Sequence, residues 1–169
     1  MVKMMIKQPF KNVAVGGTFD KLHKGHKTLL NKAFEVGNYV YIGLTSDEFV
    51  LQLQKTHKVA PYNERLTDLT NFLKTPEFKN RFEISPLHTP YGLTLNQTTN
   101  LDALIVSQET IKTAETINKK RLQTNLPPLH IVKINLVPAE NKTPISTTRI
   151  RANEIDKEGH LIKQNQPQK

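Results

Sequence analysis

The junction of strand, turn and helix at residues 12–36 constrains the fold of this chain more than any other feature. The apolar run NVAV at residues 12–15 leads into GGTFDKLHKGH at residues 16–26, and a helical pattern continues to Val36. Glycines at such a junction let the backbone approach a ligand and adopt torsions that a Cβ forbids. A helix that begins there directs its unpaired N–H groups and the positive end of its dipole at the same point. The junction therefore predicts a phosphate-binding turn at the carboxyl end of a buried strand.

Two histidines follow this turn. His23 and His26 lie three residues apart and so share one face of the first helical turn. Gly25 between them has no side chain, so an anion can approach both rings. Imidazoles at a helix N-terminus neutralise an anion or bind a metal ion. Zinc is disfavoured because the chain has no Cys and no third ligand at a recognisable spacing.

Apolar runs and helical patterns alternate along the chain. Strands are predicted at residues 12–15, 39–44, 82–85, 103–106 and 130–137, and longer helices at residues 23–36, 61–73 and 110–124. Gly37 and Asn38 are expected to stop the first helix, and Ser46 can cap a short one. Five strands separated by helices predict an α/β fold, a single Rossmann-like doubly wound domain with a five-stranded, mostly parallel sheet.

Ligands of such sheets bind beyond the carboxyl ends of the strands. The turn at residues 16–20 lies at such an end, and so do the TSD sequence at residues 45–47 and the VSQET sequence at residues 106–110. We therefore expect these three loops to converge on one site.

The length of 169 residues and the apolar content of 37% suit one well-packed domain. We expect an N-terminal extension at residues 1–11, the domain at residues 12–160 and a polar tail at residues 161–169. The sequence shows no apolar run that could cross a membrane and no secretory signal, which predicts a cytoplasmic protein. The lack of Cys excludes disulfides and catalytic thiols.

The net charge of +9 fits either nucleic acid or small polyanionic substrates. The basic residues are scattered, with only the KKR sequence at residues 119–121 contiguous, and the aromatic content of 7% leaves few stacking platforms. These features argue against nucleic acid as the main partner. A non-catalytic, basic nucleotide- or RNA-binding module is the alternative from another functional class.

The PISTTRIR sequence at residues 144–151 is a second anion-binding pattern. If its three consecutive hydroxyl residues, Ser146, Thr147 and Thr148, open a helix, their hydroxyls and N–H groups face one anion. Arg149 and Arg151 add positive charge that does not titrate. We expect Arg149, rather than Arg151, to face a nucleotide.

These patterns resemble the HxGH nucleotidylyltransferase superfamily, which joins a nucleoside triphosphate to a phosphate or similar acceptor and releases pyrophosphate. In chain order, GGTFDKLHKGH, YIGLTSDEF at residues 41–49, PYNERL at residues 61–66, VSQET and PISTTRIR are together similar to the pantetheine-phosphate adenylyltransferase family of the archaeal and eukaryotic type. The resemblance implies that ATP and 4′-phosphopantetheine are converted to dephospho-coenzyme A and pyrophosphate, a step of coenzyme A biosynthesis.

The resemblance also implies roles for individual residues. Thr18, His23 and His26 are the expected catalytic residues, with His26 donating to the α-phosphate, while Asp20 braces the turn. The expected nucleotide-binding residues are Gly16, Gly17, Thr18, His26, Ser107, Glu109, Ser146, Thr147, Thr148 and Arg149. The expected acceptor-binding residues are Thr18, Lys55, Lys58 and Arg65. Backbone groups of residues 106–110 are expected to form the adenine pocket, and the hydroxyls at residues 146–148 to hold the β- and γ-phosphates.

The chemistry fits the residue types. A phosphate monoester is largely dianionic at neutral pH, because its second pKa is about 6, and it needs no general base to act as a nucleophile. Positioning and stabilisation of the charge on the α-phosphate are then sufficient. We expect Mg²⁺ to be held mainly by the triphosphate and water.

Several alternatives stay open. A cytidylyltransferase acting on glycerol phosphate has a similar ISTT sequence, but it usually carries RTEG before it, where this chain has NKTP at residues 141–144. Adenylyl transfer to a flavin or nicotinamide nucleotide has less support. Spacing does not rank Lys55 against Lys58, and it assigns no role to His57. Asn153 occupies a position where the family usually has Gly, and we expect it to adopt a left-handed or turn conformation. The YGLT loop at residues 91–94 is a candidate wall of the acceptor pocket. Oligomeric state cannot be deduced from the sequence.

Overall fold

A computed structural model describes residues 8–163 of the chain, so part of the predicted N-terminal extension and of the polar tail lies outside the described residues. The strands are β1 (Phe10–Gly17), β2 (Gly37–Thr45), β3 (Phe82–Leu87), β4 (Ala103–Val106) and β5 (His130–Lys133). The helices are α1 (Lys24–Val36), α2 (Asp47–Gln52), α3 (Tyr62–Leu73), α4 (Ile111–Gln123) and α5 (Thr147–Arg151), with a 3₁₀ helix at Gly92–Leu95.

The five strands form one sheet in the order β3-β2-β1-β4-β5, and every neighbouring pair is parallel. Alternate residues of β1 face opposite layers. Val13 and Val15 pack in a core with Leu30 of α1 and Leu69 of α3, whereas Ala14 packs in a second core with Ile117 of α4. Helices therefore cover both faces of the sheet, which confirms the predicted Rossmann-like α/β fold.

The helix α1 ends at Val36, as predicted, but it ends by a different device. Gly37 has an extended conformation, with φ −111° and ψ 138°, and is already the first residue of β2. A Cβ at this position would lie 2.5 Å from a methyl group of Val13. Glycine is required here because β1 and the start of β2 approach each other closely, not because the chain needs a left-handed cap.

The strand β5 is shorter than predicted, because it ends at Lys133 instead of continuing to Val137. Lys133 pairs with Val106, the last residue of β4. Only one more sheet-like hydrogen bond follows, from the Ile134 N–H to the Val106 carbonyl (2.8 Å). The chain beyond it has no partner in the sheet, and residues 134–137 cross the carboxyl edge of the sheet and line the cavity described below.

The segment after β5 brings α5 back to the start of α1. Ala139, Ile145 and Ile155 form a small buried cluster under this segment. The backbone N–H of Lys24 donates to the carbonyl of Lys157 (2.9 Å), so that the segment after α5 meets the start of α1 beside the turn after β1. Within residues 8–163, no helix has the length and apolar character needed to cross a membrane.

Candidate active site

A cavity of about 950 Å³ opens at the carboxyl edge of the sheet. Its wall includes the turn after β1, Thr45 at the end of β2, Leu87 at the end of β3, Ser107 after β4 and the N-terminus of α5. The loops predicted to converge therefore line one cavity. Its size is at the upper end of the roughly 300–1,000 Å³ that is typical of small-molecule sites.

Most of the residues predicted for the site lie in this wall. They are Gly16, Gly17, Thr18, His23, His26, Lys55, Ser107, Glu109, Ser146, Thr147 and Thr148. The YGLT loop at residues 91–94 also lines the cavity. Lys58, Arg65 and Arg149 do not, and Lys58 is exposed. The structure thus ranks the two lysines of this loop, since it places only Lys55 at the cavity.

The turn after β1 owes its shape to Phe19 and Lys21. Gly16 and Gly17 belong to β1 and neither has a positive φ, so the prediction of glycine-specific torsions is wrong. Phe19 and Lys21 instead have φ of 50°, in the left-handed region that non-glycine residues rarely occupy. The ring of the buried Phe19 lies 3.2 Å from the position of a Cβ on Gly17. A Cβ at Gly17 would therefore crowd this ring. The strained turn holds Thr18 at the cavity.

His23 is the N-cap of α1 and accepts hydrogen bonds from N–H groups that were expected to be unpaired. Its Nδ1 accepts from the N–H groups of Gly25 (3.1 Å) and His26 (3.4 Å). The preceding N–H, on Lys24, donates to the Lys157 carbonyl. The start of α1 keeps its dipole, but the prediction of free N–H groups is wrong because an imidazole nitrogen takes the place of an anion.

His26 completes the cap from its own side. Its Nδ1 accepts from the backbone N–H of His23 (3.4 Å), and the two rings stack with their centroids 3.7 Å apart. Because Nδ1 of each ring is an acceptor, these hydrogen bonds assign the proton of each neutral imidazole to Nε2. The pair therefore carries two neighbouring Nε2–H donors in the cavity wall.

Burial keeps both imidazoles neutral. Desolvation lowers the pKa of His23 to about 4, against the opposing effect of the Asp20 carboxylate. Desolvation, and after it the proximity of His23, lowers the pKa of His26 to about 3. In the free protein at neutral pH the pair therefore contributes hydrogen-bond donors and not positive charge.

Asp20 joins the two anion-binding motifs, and its predicted bracing role is confirmed. Its buried carboxylate accepts two hydrogen bonds from Arg151, both 2.8 Å long, and one from the N–H of Ala60 (3.1 Å). Burial opposes ionisation, but these hydrogen bonds hold the pKa of Asp20 below its usual value. The Thr147 hydroxyl also donates to the Asp20 carbonyl (3.0 Å). Asp20 thus fastens α5 to the turn after β1.

Arg149 does not face the cavity, contrary to prediction. Its guanidinium donates to the Glu154 carboxylate (2.9 Å), to the carbonyl of Pro144 (2.9 Å) and to the side chain of Asn141 (3.2 Å). These contacts brace the loop that precedes α5. In so short a helix the direction of each side chain depends on its hydrogen-bond partners. The arginine that reaches the turn after β1 is Arg151.

Arg65 is also a structural residue. It is only 1% exposed, which leaves no route to an acceptor phosphate in solution. Its guanidinium donates to the carbonyls of Thr18 (3.0 Å), Thr45 (2.8 Å) and Ala60 (2.7 Å), and to the carboxylate of Asp47 (2.9 Å). The structure corrects the prediction that Arg65 binds the acceptor, since this side chain instead fixes the backbone on which Thr18 is presented.

The helix α5 presents backbone donors more than hydroxyls. Ser146 is its N-cap and accepts from the Arg149 N–H (3.3 Å). The Thr147 hydroxyl is bonded to Asp20, as described above, and Thr148 Oγ1 lies 3.3 Å from His57 Nδ1. The hydroxyls therefore do not all face one anion, because each has a partner in the protein. By contrast, no described residue accepts a hydrogen bond from the N–H of Thr147 or Thr148.

Some residues of the cavity wall were not predicted from the sequence. His57 reaches Thr148 across 91 positions of sequence, so no local spacing could reveal it. Phe49, Leu53 and Leu136 add apolar surface to the wall, but apolar residues near the ends of elements do not distinguish a cavity from a core. Asn153, where the family usually has Gly, has φ 54°, which confirms the predicted left-handed turn.

Comparisons with known proteins agree with this geometry. A family model described as cytidylyltransferase-like matches residues 14–153. A phosphopantetheine adenylyltransferase of Pyrococcus furiosus is 45% identical over 158 residues, which cover 94% of this chain and 98% of the relative. That of Pyrococcus horikoshii is 46% identical over 154 residues, or 91% of this chain and 96% of the relative. Among solved structures, a protein of Archaeoglobus fulgidus described as having unknown function is 34% identical, with a TM-score of 0.65, over 73% of this chain and 88% of that one.

Proposed function

This chain belongs to the cytidylyltransferase-like family and, within it, to the phosphopantetheine adenylyltransferases, and we propose that it transfers the adenylyl group of ATP to 4′-phosphopantetheine. The products are dephospho-coenzyme A and pyrophosphate, so that the protein is a nucleotidyltransferase of coenzyme A biosynthesis. One observation carries the proposal. The histidine pair and the N-terminus of α5 converge on one cavity in a chain that is 45% identical to such an enzyme over 94% of its length.

The bond change is a direct displacement. An oxygen of the acceptor phosphate attacks the α-phosphorus of ATP, a new P–O bond forms, and the bond to the β-phosphate oxygen breaks as pyrophosphate leaves. The attacking phosphate is already ionised, so no protein base is needed. The Nε2–H groups of His26 and His23 donate to oxygens of the phosphate chain, with His26 at the α-phosphate, where charge builds in the transition state. Because both rings are neutral before ATP binds, they need no proton transfer to act.

The two substrates approach from different parts of the wall. The β- and γ-phosphates bind the N–H groups of Thr147 and Thr148 at the start of α5, and backbone groups of residues 106–110, with Ser107 and Glu109, bind the adenine. Lys55 holds the acceptor phosphate, because it is a cation in the cavity wall and lies close enough to His26 for its charge to lower the pKa of that ring. The Thr18 hydroxyl lies between the two substrates. The main contribution of the protein is to hold both phosphates in line.

We further propose that Mg²⁺ accompanies the triphosphate. Magnesium prefers oxygen ligands and keeps several waters, so phosphate oxygens suit it. The protein offers mainly N–H donors and hydroxyls here, and the Asp20 carboxylate is already paired with Arg151. Among residues 8–163, no group of three or more His, Cys, Asp or Glu side chains could hold a metal ion. The phosphate oxygens would then coordinate the metal ion, and the protein would bind the phosphates and not the metal ion itself.

Mass spectrometry of the reaction products tests the proposal. Purified protein is incubated with Mg²⁺, 4′-phosphopantetheine and either ATP or CTP. We expect dephospho-coenzyme A with ATP, its loss in the His26→Ala variant, and full yield in a His130→Ala control, because His130 begins β5 at the opposite end of the sheet. A cytidylyl product would favour the cytidylyltransferase alternative. No product with either nucleotide would contradict the proposal and leave a non-catalytic nucleotide-binding module.

A further inference from the structure

His57 connects three parts of the site, although sequence and family resemblance give it no role. It lies on the loop at residues 53–60, which also carries Lys55, and its ring lines the cavity. Its Nε2 lies 3.7 Å from Asp20 Oδ2, in the turn after β1, and its Nδ1 lies 3.3 Å from Thr148 Oγ1, at the start of α5. The side chain is 16% exposed. His57 is therefore held between the two anion-binding motifs.

The protonation of His57 decides the direction of its hydrogen bond to Thr148. In the neutral ring with its proton on Nε2, toward Asp20, Nδ1 has only a lone pair. The Thr148 hydroxyl must then donate to Nδ1, and its single proton is not available to a phosphate oxygen. When both ring nitrogens carry protons, Nδ1–H donates to Oγ1 instead. The hydroxyl proton is then released to another acceptor.

We propose that His57 is a positioning residue of the nucleotide site, whose protonation turns the Thr148 hydroxyl toward a phosphate oxygen of bound ATP. This inference rests on the proposed function, because it requires the triphosphate to bind at the start of α5. His57 acts through Thr148, and it couples the binding of ATP to the uptake of a proton by the protein.

The charges around His57 favour such coupling. The charged groups that face it are Asp20 in the turn after β1, Arg151 on α5 and Lys55 on its own loop. In the free protein, desolvation lowers the pKa of His57. Asp20 opposes this shift, whereas Arg151 and Lys55 add to it. A triphosphate placed beside the ring adds negative charge and raises the pKa again.

The sign of the pH effect follows from this difference. Between the pKa of His57 in the free protein and its higher pKa in the complex, ATP binding takes up a proton at His57. Affinity for ATP therefore falls as the pH rises through the higher of the two values. His23 and His26 also face the phosphates and can take up protons, so the effect of His57 is measured as the difference between variants.

Calorimetric titration with MgATP, without acceptor and hence without turnover, tests the inference. It is carried out from about pH 6.5 to about pH 8.5, in pairs of buffers with different ionisation enthalpies, to count the protons taken up. The His57→Gln variant provides an amide N–H that can donate to Thr148 at every pH, whereas His57→Ala provides none. His130→Gln, remote from the cavity, is the matched control.

We expect the wild-type protein to lose about tenfold more affinity for MgATP than His57→Gln over this range. His57→Gln takes up fewer protons than the wild type, His57→Ala binds about tenfold more weakly at the lowest pH, and the control follows the wild type. Equal pH dependence and proton uptake in wild type and His57→Gln overturn the inference, as does a His57→Gln variant that binds as weakly as His57→Ala. A merely structural role would weaken binding equally at every pH.

The outcome for the proposed function is read separately. A folded wild-type protein that does not bind MgATP contradicts the proposed function, whereas binding with unchanged proton linkage contradicts only the role of His57. Thermal unfolding of each variant verifies its fold. His57→Asn carries the same amide donor and replaces His57→Gln if that variant does not fold.

Discussion

The two anion-binding segments, residues 16–26 and residues 145–151, both present the start of a helix to one cavity, but they are built in opposite ways. The helix α1 has 13 residues, buries four of its side chains and has its first N–H groups bonded to other protein groups. The helix α5 has 5 residues, buries none, and has two N–H groups for which no described residue is an acceptor. The first segment has its N–H groups bonded within the protein, whereas the second has donors that are available to a ligand.

This difference matches the parts of ATP that each segment is proposed to hold. Bonds change at the α-phosphate, where donors must be fixed before the reaction because reorganisation would raise the barrier. The β- and γ-phosphates must leave as pyrophosphate. A half-buried helix of 5 residues that buries no side chain opens locally at a smaller free-energy cost than α1, which suits the release of a product. Under the proposed function, the preorganised donors therefore lie at the α-phosphate, where the bonds change.

The largest effect is expected when a hydrogen-bond donor is removed from the first segment. His26→Ala is expected to lower kcat by about 10²–10³-fold, because a donor to the charge that builds in the transition state is lost. His26→Gln, which retains an N–H donor, should recover part of this loss. Steady-state kinetics and circular dichroism measure the two effects. A folded His26→Ala protein with normal turnover would separate this histidine from the mechanism.

A second test uses pH, since the first segment contains two histidines with strongly lowered pKa values. The pKa values of His23 and His26 are about 4 and about 3 in the folded protein, against about 6.5 in the unfolded chain. The unfolded state therefore binds more protons below about pH 6.5, and stability falls as the pH is lowered from there toward the folded-state values. Each ring contributes up to about 1.4 kcal/mol per pH unit.

Denaturant unfolding between about pH 7 and about pH 4 measures this loss. His23→Asn keeps a good N-cap residue but removes one titrating ring, so its stability should depend less steeply on pH. The same slope in this variant and the wild type would show that His23 is not the source of the acid sensitivity.

A smaller effect is expected from the cap of the second segment. Ser146→Ala removes the acceptor for the Arg149 N–H and should cost about 1 kcal/mol of local helix stability. Because α5 is proposed to hold the phosphates that leave, the KM for ATP should rise several-fold while kcat changes little. Ser146→Asn preserves the cap without charge and is the control. A fall in kcat as large as that of His26→Ala would remove the distinction between the segments.

The smallest effect is expected at Arg149, which binds its own loop and not the nucleotide. Its ion pair with Glu154 is partly exposed, so Arg149→Gln should destabilise the protein by less than about 1 kcal/mol. The KM for ATP should stay within about twofold of the wild-type value. Thermal unfolding and steady-state kinetics are sufficient to measure both. A rise in KM by an order of magnitude would place the guanidinium on the nucleotide after all.

Local patterns in the sequence were sufficient to predict the order of elements and the location of the site. The strand before Gly16 and the spacing of His23 and His26 are local features, and the carboxyl ends of parallel strands necessarily share one edge. The partners of side chains were not predictable in this way. Arg151 meets Asp20 across 131 positions, and the fifth strand ends where β4 ends. Such contacts depend on the assembled fold, which explains why Arg65 and Arg149 were assigned to ligands that they do not reach.

The hydrogen bond from Lys24 to the carbonyl of Lys157 has a consequence for synthesis of the protein. The turn after β1 is fastened by Arg151 and by the carbonyl of Lys157, and both residues follow all five strands in the sequence. The sheet can form while the chain is still growing. The candidate site, in contrast, is fastened only after residues 151–157 have been synthesised, so that a nascent chain that lacks them would not hold the turn after β1 against α5.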